Sequence, residues 1–338
     1  MVILYLICGL FLGWSLGAND AANIFGTAVG SRMVKFKTAA ITSSLFVLMG
    51  SILGGSGTTE TLNELGKVTE LKDAAIISFS AASIVLGMTW LKLPVSTSQA
   101  IIGGIIGWNV FNGVKTNPEI LTKIISTWIF SPVLSGITAI ICYLVFKNLI
   151  VKIKLHLLLR DQIIRKSLIF IGALGAYSLG ANNIANVMGI FIHSSGLNDL
   201  LLFNTYTIPV SFQLYCLGGL AISAGIITYS KPVMLTVGKN LLKLSPEHAL
   251  IVVFSHSVVL LLFSSVKLSM FLSSIGLPQI PLVPVSSTQA IIGAILGLGL
   301  FKSSSSLKFR KLGEIALSWV LAPLLTLLFC YLLFAIFR

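Results

Sequence analysis

The stretch Leu16–Gly26 reads LGANDAANIFG, and a close copy, LGANNIANVMG, stands at Leu179–Gly189. Seven of the eleven positions are identical. A second stretch, PVSTSQAIIGGIIG at Pro94–Gly107, returns as PVSSTQAIIGAILG at Pro284–Gly297, with ten of fourteen positions identical. Chance does not place two long echoes in the same order along one chain, so the sequence indicates an internal duplication.

A third pair of matching positions shows that the duplication extends over most of the chain. Trp128 and Pro132 in the first copy match Trp319 and Pro323 in the second. The seam falls in a short stretch that is rich in lysine and arginine. The predicted units are a first transmembrane repeat (1–146), a basic cytoplasmic linker (147–166) and a second transmembrane repeat (167–338).

The composition places both repeats in lipid. Of the 338 residues, 56% are hydrophobic and only 10% are charged, whereas a soluble domain carries roughly a quarter charged residues. The charge-free runs are long enough for membrane-spanning helices and too long for barrel strands. The sequence therefore predicts an all-α polytopic protein of the lipid bilayer. We attribute the net charge of +13 to basic cytoplasmic loops rather than to a nucleic-acid partner.

The loop charges predict that the two repeats have opposite topology. Arg32, Lys35 and Lys37 follow the first motif, while the matching loop Ser194–Asp199 has no lysine or arginine. Basic loops stay in the cytoplasm. By the same rule we place the acidic loop 55–73 outside, and the basic loops 231–247 and 302–311 inside. Both termini are then predicted outside a cell (plasma or inner) membrane.

Opposite topology requires an odd number of crossings in each repeat. We therefore expect residues 74–111 to form a helical hairpin that enters and leaves on one side, with its tip at 91–99. A proline disfavours helix before it, and Pro94 lies at that tip. The matching hairpin is expected at about 249–301, with its tip near 278–289. The predicted fold is two inverted-topology repeats, each with broken helices and a helical hairpin.

Asp20 is the only charge in residues 2–31. An ionisable group inside a membrane segment is costly and indicates a functional site. Amide oxygens from neighbouring asparagines can replace part of a cation's hydration shell. The alternative is that the asparagines and glycines only allow close helix packing. We favour a cation site, formed by Asp20, Asn23, Asn183 and Asn186.

The two proline-containing tips suggest a site for an anion. A helix that begins in mid-membrane exposes unpaired N–H groups and a partial positive charge. Serine and threonine hydroxyls at such a start either cap the helix or donate to a ligand, and caps at the bilayer surface are the alternative. An anion beside a carboxylate is repelled unless a cation intervenes, so the two sites together predict coupled transport.

The motifs just quoted resemble those of the inorganic phosphate transporter (PiT) family over essentially the whole chain. The resemblance implies sodium- or proton-coupled uptake of inorganic phosphate by alternating access, with a homodimer as one expected assembly. It implies no cofactor other than the coupling ions. Sodium would be held by Asp20, Asn23 and Asn186. Phosphate would be held by Ser96, Thr97, Ser98 and Gln99 together with Ser286, Ser287, Thr288 and Gln289.

The chain departs from the family pattern at three positions. Asn183 stands where the family usually repeats the aspartate, so one cation-attracting charge is missing. Gln99 and Gln289 stand where histidine is common, which weakens a proton-relay mechanism. The loss of one acid could favour an obligately divalent anion, so transport of sulfate or another oxyanion is the alternative within the family.

Two other classes of function compete with a carrier. A passive anion channel could use the same donors to line a pore. An intramembrane serine protease could use the Gly54–Gly57 segment, GGSG, with Ser56 as nucleophile and His256 as base. The duplication leaves that tetrapeptide unexplained, because the second repeat has no equivalent. We therefore expect no enzyme, and we interpret His256 as a packing or loop residue.

Overall fold

The computed structural model describes residues 2–91, 93–152, 156–202, 206–240, 244–302 and 309–337. In the first half the helices are α1 (Val2–Gly30), α2 (Phe36–Gly54), α3 (Ser56–Leu65), α4 (Leu71–Trp90), α5 (Thr97–Phe111) and α6 (Pro118–Lys152). In the second half they are α7 (Leu157–Ile184), a π-helical turn (Ala185–Gly189), α8 (Phe191–Ser194), α9 (Val210–Asn240), α10 (Pro246–Ser264), α11 (Val266–Ser274), α12 (Ser287–Lys302) and α13 (Phe309–Phe337). Strands β1 (Leu200–Leu202) and β2 (Tyr206–Ile208) form one antiparallel hairpin.

Membrane-spanning helices dominate the fold, as the composition predicts. Among the described residues, eight segments are long and apolar enough to cross a bilayer. They belong to α1, α2, α4, α6, α7 with its continuation, α9, α10 and α13. The outer face of α13 carries exposed leucines such as Leu324 and Leu328, which suits contact with lipid chains rather than water. The chain is therefore a multi-pass membrane protein.

The two halves are interleaved rather than side by side. Helix α1 packs on α9 of the other half, and α2 packs on α7. The hairpin helices are exchanged in the same way, because α5 packs on α13 and α12 packs on α6. Each of these helix pairs in one half-to-half contact corresponds to another pair formed by the equivalent helices of the two halves. This pairing supports the predicted duplication and gives the molecule an internal two-fold relation.

Glycines in the duplicated motif allow the closest of these contacts. A Cβ added at Gly17 in α1 would collide with the carbonyl oxygen of Ile222 in α9. At the equivalent Gly180 in α7, an added Cβ would collide with the carbonyl oxygen of Val47 in α2. The motif glycines therefore serve helix packing.

We expect Gly180→Ala to destabilise the protein by about 1–3 kcal/mol, because backbone atoms cannot yield to the new methyl group. Gly87→Ala is the matched control, since no heavy atom outside its own helix lies within 4 Å of an added Cβ there. Alanine also favours helix over glycine by about 1 kcal/mol. Thermal unfolding in detergent should show a lower midpoint for Gly180→Ala only. An unchanged midpoint would contradict the packing role.

Both predicted hairpins are present. Helices α4 and α5 form the first, and Leu93–Ser96, which include Pro94, are non-helical. Helices α10 and α12 form the second. It has an additional helix, α11, before its tip. The extra residues of the second half lie here and in the β1–β2 hairpin, for which the described part of the first half has no equivalent.

One end of the molecule brings together the segments that the charges assign to the outside. Glu60 in α3 and His193 in α8 line a common cavity of about 480 Å³. The Lys72 side chain donates to the carbonyl oxygen of Phe337 at 3.0 Å, and Leu4 near the N-terminus lies in the same region. Both chain ends therefore share a side with the acidic segment 55–73. That this side faces outward stays a prediction.

The segments predicted to be cytoplasmic meet in the same way. The Lys231 ammonium lies 5.8 Å from the ring centroid of Phe36, which opens α2 after the first basic loop. The Lys302 ammonium lies 2.9 Å from Nε2 of His248 in α10. Direct side-chain contacts thus join the segments at residues 36 and 231 and, separately, those at residues 248 and 302.

Several predicted loops are in fact helical. Segment 55–73 contains α3 and the start of α4, and Asp73 is buried, with its Oδ2 accepting from Nε1 of Trp108 at 2.7 Å. Segment 231–247 is helical to Asn240. The boundaries differ because they were placed at charged residues, and helices continue past such residues at membrane surfaces. Lys243, Lys308 and residues 153–155 of the linker lie outside the described residues.

Candidate functional site

The proline-containing tips lie in the protein interior. Helix α5 begins at Thr97 and α12 at Ser287, and the side chains of Val95–Gln99 and Val285–Gln289 are all buried. The most exposed of them, Gln289, is only 5% exposed. This burial differs from the exposure expected of caps at a bilayer surface. The N-termini of α5 and α12 therefore lie at one buried site.

The two tips are hydrogen-bonded to each other. Oγ of Ser98, at the first tip, donates to the carbonyl oxygen of Val285 at 3.1 Å. Oγ1 of Thr288, at the second tip, donates to the carbonyl oxygen of Val95 at 2.9 Å. Since Ser98 and Thr288 are equivalent in the duplication, as are Val95 and Val285, the internal two-fold relation extends to single atoms.

The asparagine motifs hold both tips from the sides. Nδ2 of Asn19 in α1 donates to the carbonyl oxygen of Val95 at 3.2 Å. Its equivalent in α7, Asn182, donates to the carbonyl oxygen of Val285 at 2.8 Å and accepts from the Val285 N–H at 3.1 Å. Each asparagine thus satisfies backbone groups that the break before α5 or α12 leaves without a helical partner.

A second pair of asparagines joins the predicted cation site to the predicted anion site. Nδ2 of Asn23 donates to Oγ of Ser287 at 3.0 Å and to Oγ1 of Thr288 at 3.2 Å. Its equivalent, Asn186, donates to Oγ of Ser98 at 2.8 Å. Asn186 also donates to Oδ1 of Asn183 at 2.9 Å. Three residues of the predicted cation site, Asn23, Asn183 and Asn186, are therefore hydrogen-bonded to side chains of the two tips, and together they form one cluster.

Asp20 stands in α1 between Asn19 and Asn23, both of which are hydrogen-bonded to a tip. Asp20 is 2% exposed, and its Oδ1 has no partner among the residues that the structure describes. Asn183 occupies the equivalent position, and its Oδ1 faces Asn186 and Ser98 at 2.9 and 3.4 Å. A buried carboxylate without a partner is strongly destabilising. The position thus suits a bound cation.

Other polar atoms of the cluster share this lack of a partner within the described ranges. They are Oγ1 of Thr97, Oε1 of Gln99, Oε1 of Gln289 and Oδ1 of Asn186. Native proteins satisfy nearly all buried polar groups, so each exception needs an explanation. These atoms, together with two helix N-termini, leave several polar groups at one site available to a ligand.

Ser96 and Ser286 have a structural role. The hydroxyl oxygen of Ser96 accepts from the Gln99 N–H at 3.3 Å, and that of Ser286 accepts from the Gln289 N–H at 3.2 Å. Both serines are therefore N-caps. For them the capping alternative holds, although each hydroxyl keeps its hydrogen for donation to a ligand.

Helices are interrupted mainly at the two hairpin tips. Helix α1 runs without interruption through Asn19, Asp20 and Asn23, whereas α7 gives way to a π-helical turn at Ala185–Gly189. Turns of this kind are frequent at functional sites. Asn186 lies in that turn and donates to Ser98 from it.

His256 is a member of the cluster that the sequence analysis did not find. It is fully buried in α10, with Nε2 lying 3.1 Å from Oγ of Ser287. This differs from the expected packing or loop role. A lone histidine in an apolar stretch has no spacing signal, and only the hairpin fold brings it to a tip 31 residues later.

The same contact removes the protease alternative. Ser56 is exposed at the start of α3, while the candidate base, His256, is buried against Ser287 at the hairpin tip. A serine protease needs its nucleophile and base within hydrogen-bond reach. These two residues do not form such a pair.

Comparison with known proteins places this site in a family context. The profile of the phosphate transporter family matches residues 16–275 and 280–338. A protein of Methanocaldococcus jannaschii, named as a candidate phosphate permease, is 29% identical over 325 residues, covering 96% of this chain and 94% of its own. The sulfate permease CysP of Bacillus subtilis is 27% identical over 344 residues, covering 100% and 88%. A solved structure described as the sodium-dependent phosphate transporter has the same fold, with a TM-score of 0.78, 22% identity and 99% coverage of both chains.

Proposed function

Because this chain belongs to the phosphate transporter family, in which proteins are carriers rather than enzymes, we propose that it takes up inorganic phosphate together with sodium by alternating access. The observation that carries the proposal is the pair of hydrogen bonds from Asn23 to Ser287 and Thr288. These bonds connect the helix that bears Asp20 to the tip that begins α12.

The hairpin tips supply the anion site of the proposed carrier. The starts of α5 and α12 direct free N–H groups and the positive ends of two helix dipoles into one buried place. Hydroxyls of Thr97, Ser96 and Ser286 are available to donate from several directions. A tetrahedral oxyanion is bound well by many short donors, and no lysine or arginine needs to be buried with it.

Asp20 supplies the coupling. It lies three residues before Asn23 on the same helix face, and such neighbours have Cβ atoms roughly 5–6 Å apart. An ionised carboxylate on the same helix face as Asn23, which bonds to the second tip, repels a phosphate dianion bound there, and a sodium ion between them removes the repulsion. Binding of either ion therefore favours binding of the other, which is the thermodynamic requirement for symport. Sodium would be held by Asp20, Asn23 and Asn186, and the solved transporter of this fold is described as sodium-dependent.

The internal two-fold relation supports alternating access. The bond from Asn19 to Val95 is matched by that from Asn182 to Val285, and the bond from Asn23 to Thr288 by that from Asn186 to Ser98. Opening the site to one side therefore breaks bonds of the same kinds as opening it to the other. Related repeats of opposite topology supply two conformations of similar energy. Residence in a cell membrane, the outward termini, a homodimer and protons as an alternative coupling ion stay predictions of the sequence.

Sulfate is the second candidate substrate. The similarity to the Bacillus subtilis sulfate permease covers the whole chain, and the second motif carries Asn183 in place of an acid. With one fewer negative charge beside the anion, an ion that is always divalent is repelled less.

Uptake into proteoliposomes tests these proposals together. Radiolabelled phosphate would be supplied under a sodium gradient or a proton gradient imposed separately, with unlabelled sulfate as competitor. We expect sodium-driven accumulation above the external concentration that excess sulfate barely reduces. Equilibration without accumulation would indicate a passive channel. Strong competition and uptake of labelled sulfate would make sulfate the substrate.

A further inference from the structure

His256 forms a hydrogen-bonded group with Ser287 and Asn23, but it has no role in the transport cycle proposed above. Oγ of Ser287 lies 3.0 Å from Nδ2 of Asn23 and 3.1 Å from Nε2 of His256. All three side chains are at least 96% buried. Nδ1 of His256 has no partner among the described residues, so Ser287 is the only described group that orients the ring through a hydrogen bond.

Hydrogen-bond accounting fixes the orientation of the Asn23 amide. The single hydrogen of the Thr288 hydroxyl is donated to the carbonyl oxygen of Val95, a group that can only accept. The Thr288 oxygen can then only accept from Asn23, so the amide atom between Thr288 and Ser287 is the nitrogen. Its second hydrogen is donated to Ser287. One lone pair of the Ser287 oxygen is therefore already occupied.

The tautomer of His256 decides what the Ser287 hydroxyl can still do. If Nε2 carries the hydrogen, it fills the second lone pair of Ser287, and the hydroxyl hydrogen is left free to point toward a ligand. If Nδ1 carries the hydrogen, Ser287 donates to Nε2 instead and loses its only hydrogen to the histidine.

The opposite tip shows what the site requires. Thr97 is the equivalent of Ser287, and its Oγ1 has no hydrogen-bond partner in the part of the chain that the structure describes. Its hydrogen is thus free for a ligand without help. For the two helix starts to offer equivalent donors, Ser287 must also keep its hydrogen free.

We propose that His256 is a positioning residue of the anion site, which in the Nε2–H form orients the Ser287 hydroxyl so that it donates to the bound oxyanion. This inference rests on the proposed transport of phosphate. The donor in the second half is then the Ser287 hydroxyl, and its orientation depends on a residue of α10. Neither of the duplicated motifs lies in α10. His256 acts through Ser287 and need not touch the anion.

A double-mutant cycle with Ser287 tests the proposal on the purified full-length protein. Phosphate binding would be measured by calorimetry in sodium buffer for wild type, His256→Leu, Ser287→Ala and the combined variant. Each single change is expected to weaken binding by about tenfold, the effect of losing one hydrogen bond to a charged group. In the Ser287→Ala background, His256→Leu should weaken binding no further. Additive losses would overturn the proposal.

A conservative variant and a matched control separate positioning from packing. His256→Gln keeps an N–H donor for Ser287 and should stay within about threefold of wild type. His248→Leu, on the same helix, removes a histidine that contacts Ser245 and Lys302 instead, and it should leave phosphate affinity unchanged. If His256→Leu does not fold, His256→Asn, whose shorter amide cannot reach Ser287, replaces it in the cycle.

The outcomes for the two proposals differ. If wild type binds phosphate and His256→Leu binds it equally well, His256 has no role at the site and the transport proposal stands. If wild type binds neither phosphate nor sulfate, the proposed function and the role of His256 fall together. Weaker binding by both His256→Leu and His256→Gln, with additive loss in the cycle, would make His256 a packing residue.

Discussion

Asp20→Asn should reduce sodium-driven phosphate uptake to the level of empty liposomes. Asparagine keeps the size of the side chain and one oxygen, but it removes the only acidic charge found in the described cluster. Two unit charges about 4 Å apart attract by about 4 kcal/mol at an effective dielectric constant of about 20. Part of that energy offsets desolvation, so we expect sodium affinity to fall by about a hundredfold or more.

The comparison variant for Asp20 is Asp73→Asn. Asp73 is equally buried, with 2% exposure, but it lies at the end of the first hairpin away from the tip and accepts from Trp108. An asparagine oxygen can still accept that hydrogen bond. Asp73→Asn should therefore keep the sodium dependence of uptake. If Asp20→Asn transports phosphate with the wild-type response to sodium, the carboxylate does not couple the two ions.

Thr97→Val should have opposite effects on stability and on phosphate binding. The Thr97 hydroxyl is buried, and its oxygen has no partner within the described residues. Removing an unpaired buried hydroxyl from the free protein costs nothing and relieves a desolvation penalty of about 1–3 kcal/mol. If that hydroxyl donates to phosphate, its loss weakens binding by about ten- to a hundredfold.

Thermal unfolding with and without phosphate measures both effects in one experiment. Thr97→Val should unfold at an equal or higher temperature than wild type in sodium buffer alone, and phosphate should stabilise it less. Thr326→Val is the control, because that hydroxyl donates to a carbonyl within α13 and lies outside the cluster. A Thr97→Val variant that phosphate stabilises as much as wild type would remove Thr97 from the anion site.

The duplication made most of the fold predictable. Two copies of each motif doubled the signal for a break at Pro94 and at Pro284, and the non-helical segments lie at those prolines. Loop charges also grouped the segments correctly, since Glu60 shares a cavity with His193 and Lys231 contacts the ring that opens α2. Polar helices escaped prediction because hydropathy does not distinguish α3 from a polar loop.

The interleaving and part of the site depend on tertiary contacts that no local pattern encodes. The tips and the asparagine motifs could be identified separately, but not the bond from Asn23 to a tip 264 residues away. Asp73 was placed in a loop because it follows other acids, although it is buried against Trp108. His256 carried no motif, and its role depends on how α10 lies against the second tip.

The exchange of helices between the halves has a consequence for biogenesis. Ribosomes deliver the chain from its N-terminus, so α1 and α2 enter the lipid long before their partners α9 and α7 have been synthesised. During that interval Gly17 in α1 and Val47 in α2 lack Ile222 and Gly180, the residues that pack against them in the finished fold. Assembly must therefore be completed after the second half has been translated. Because one gene encodes both halves, each first half is synthesised together with the one second half that it packs against.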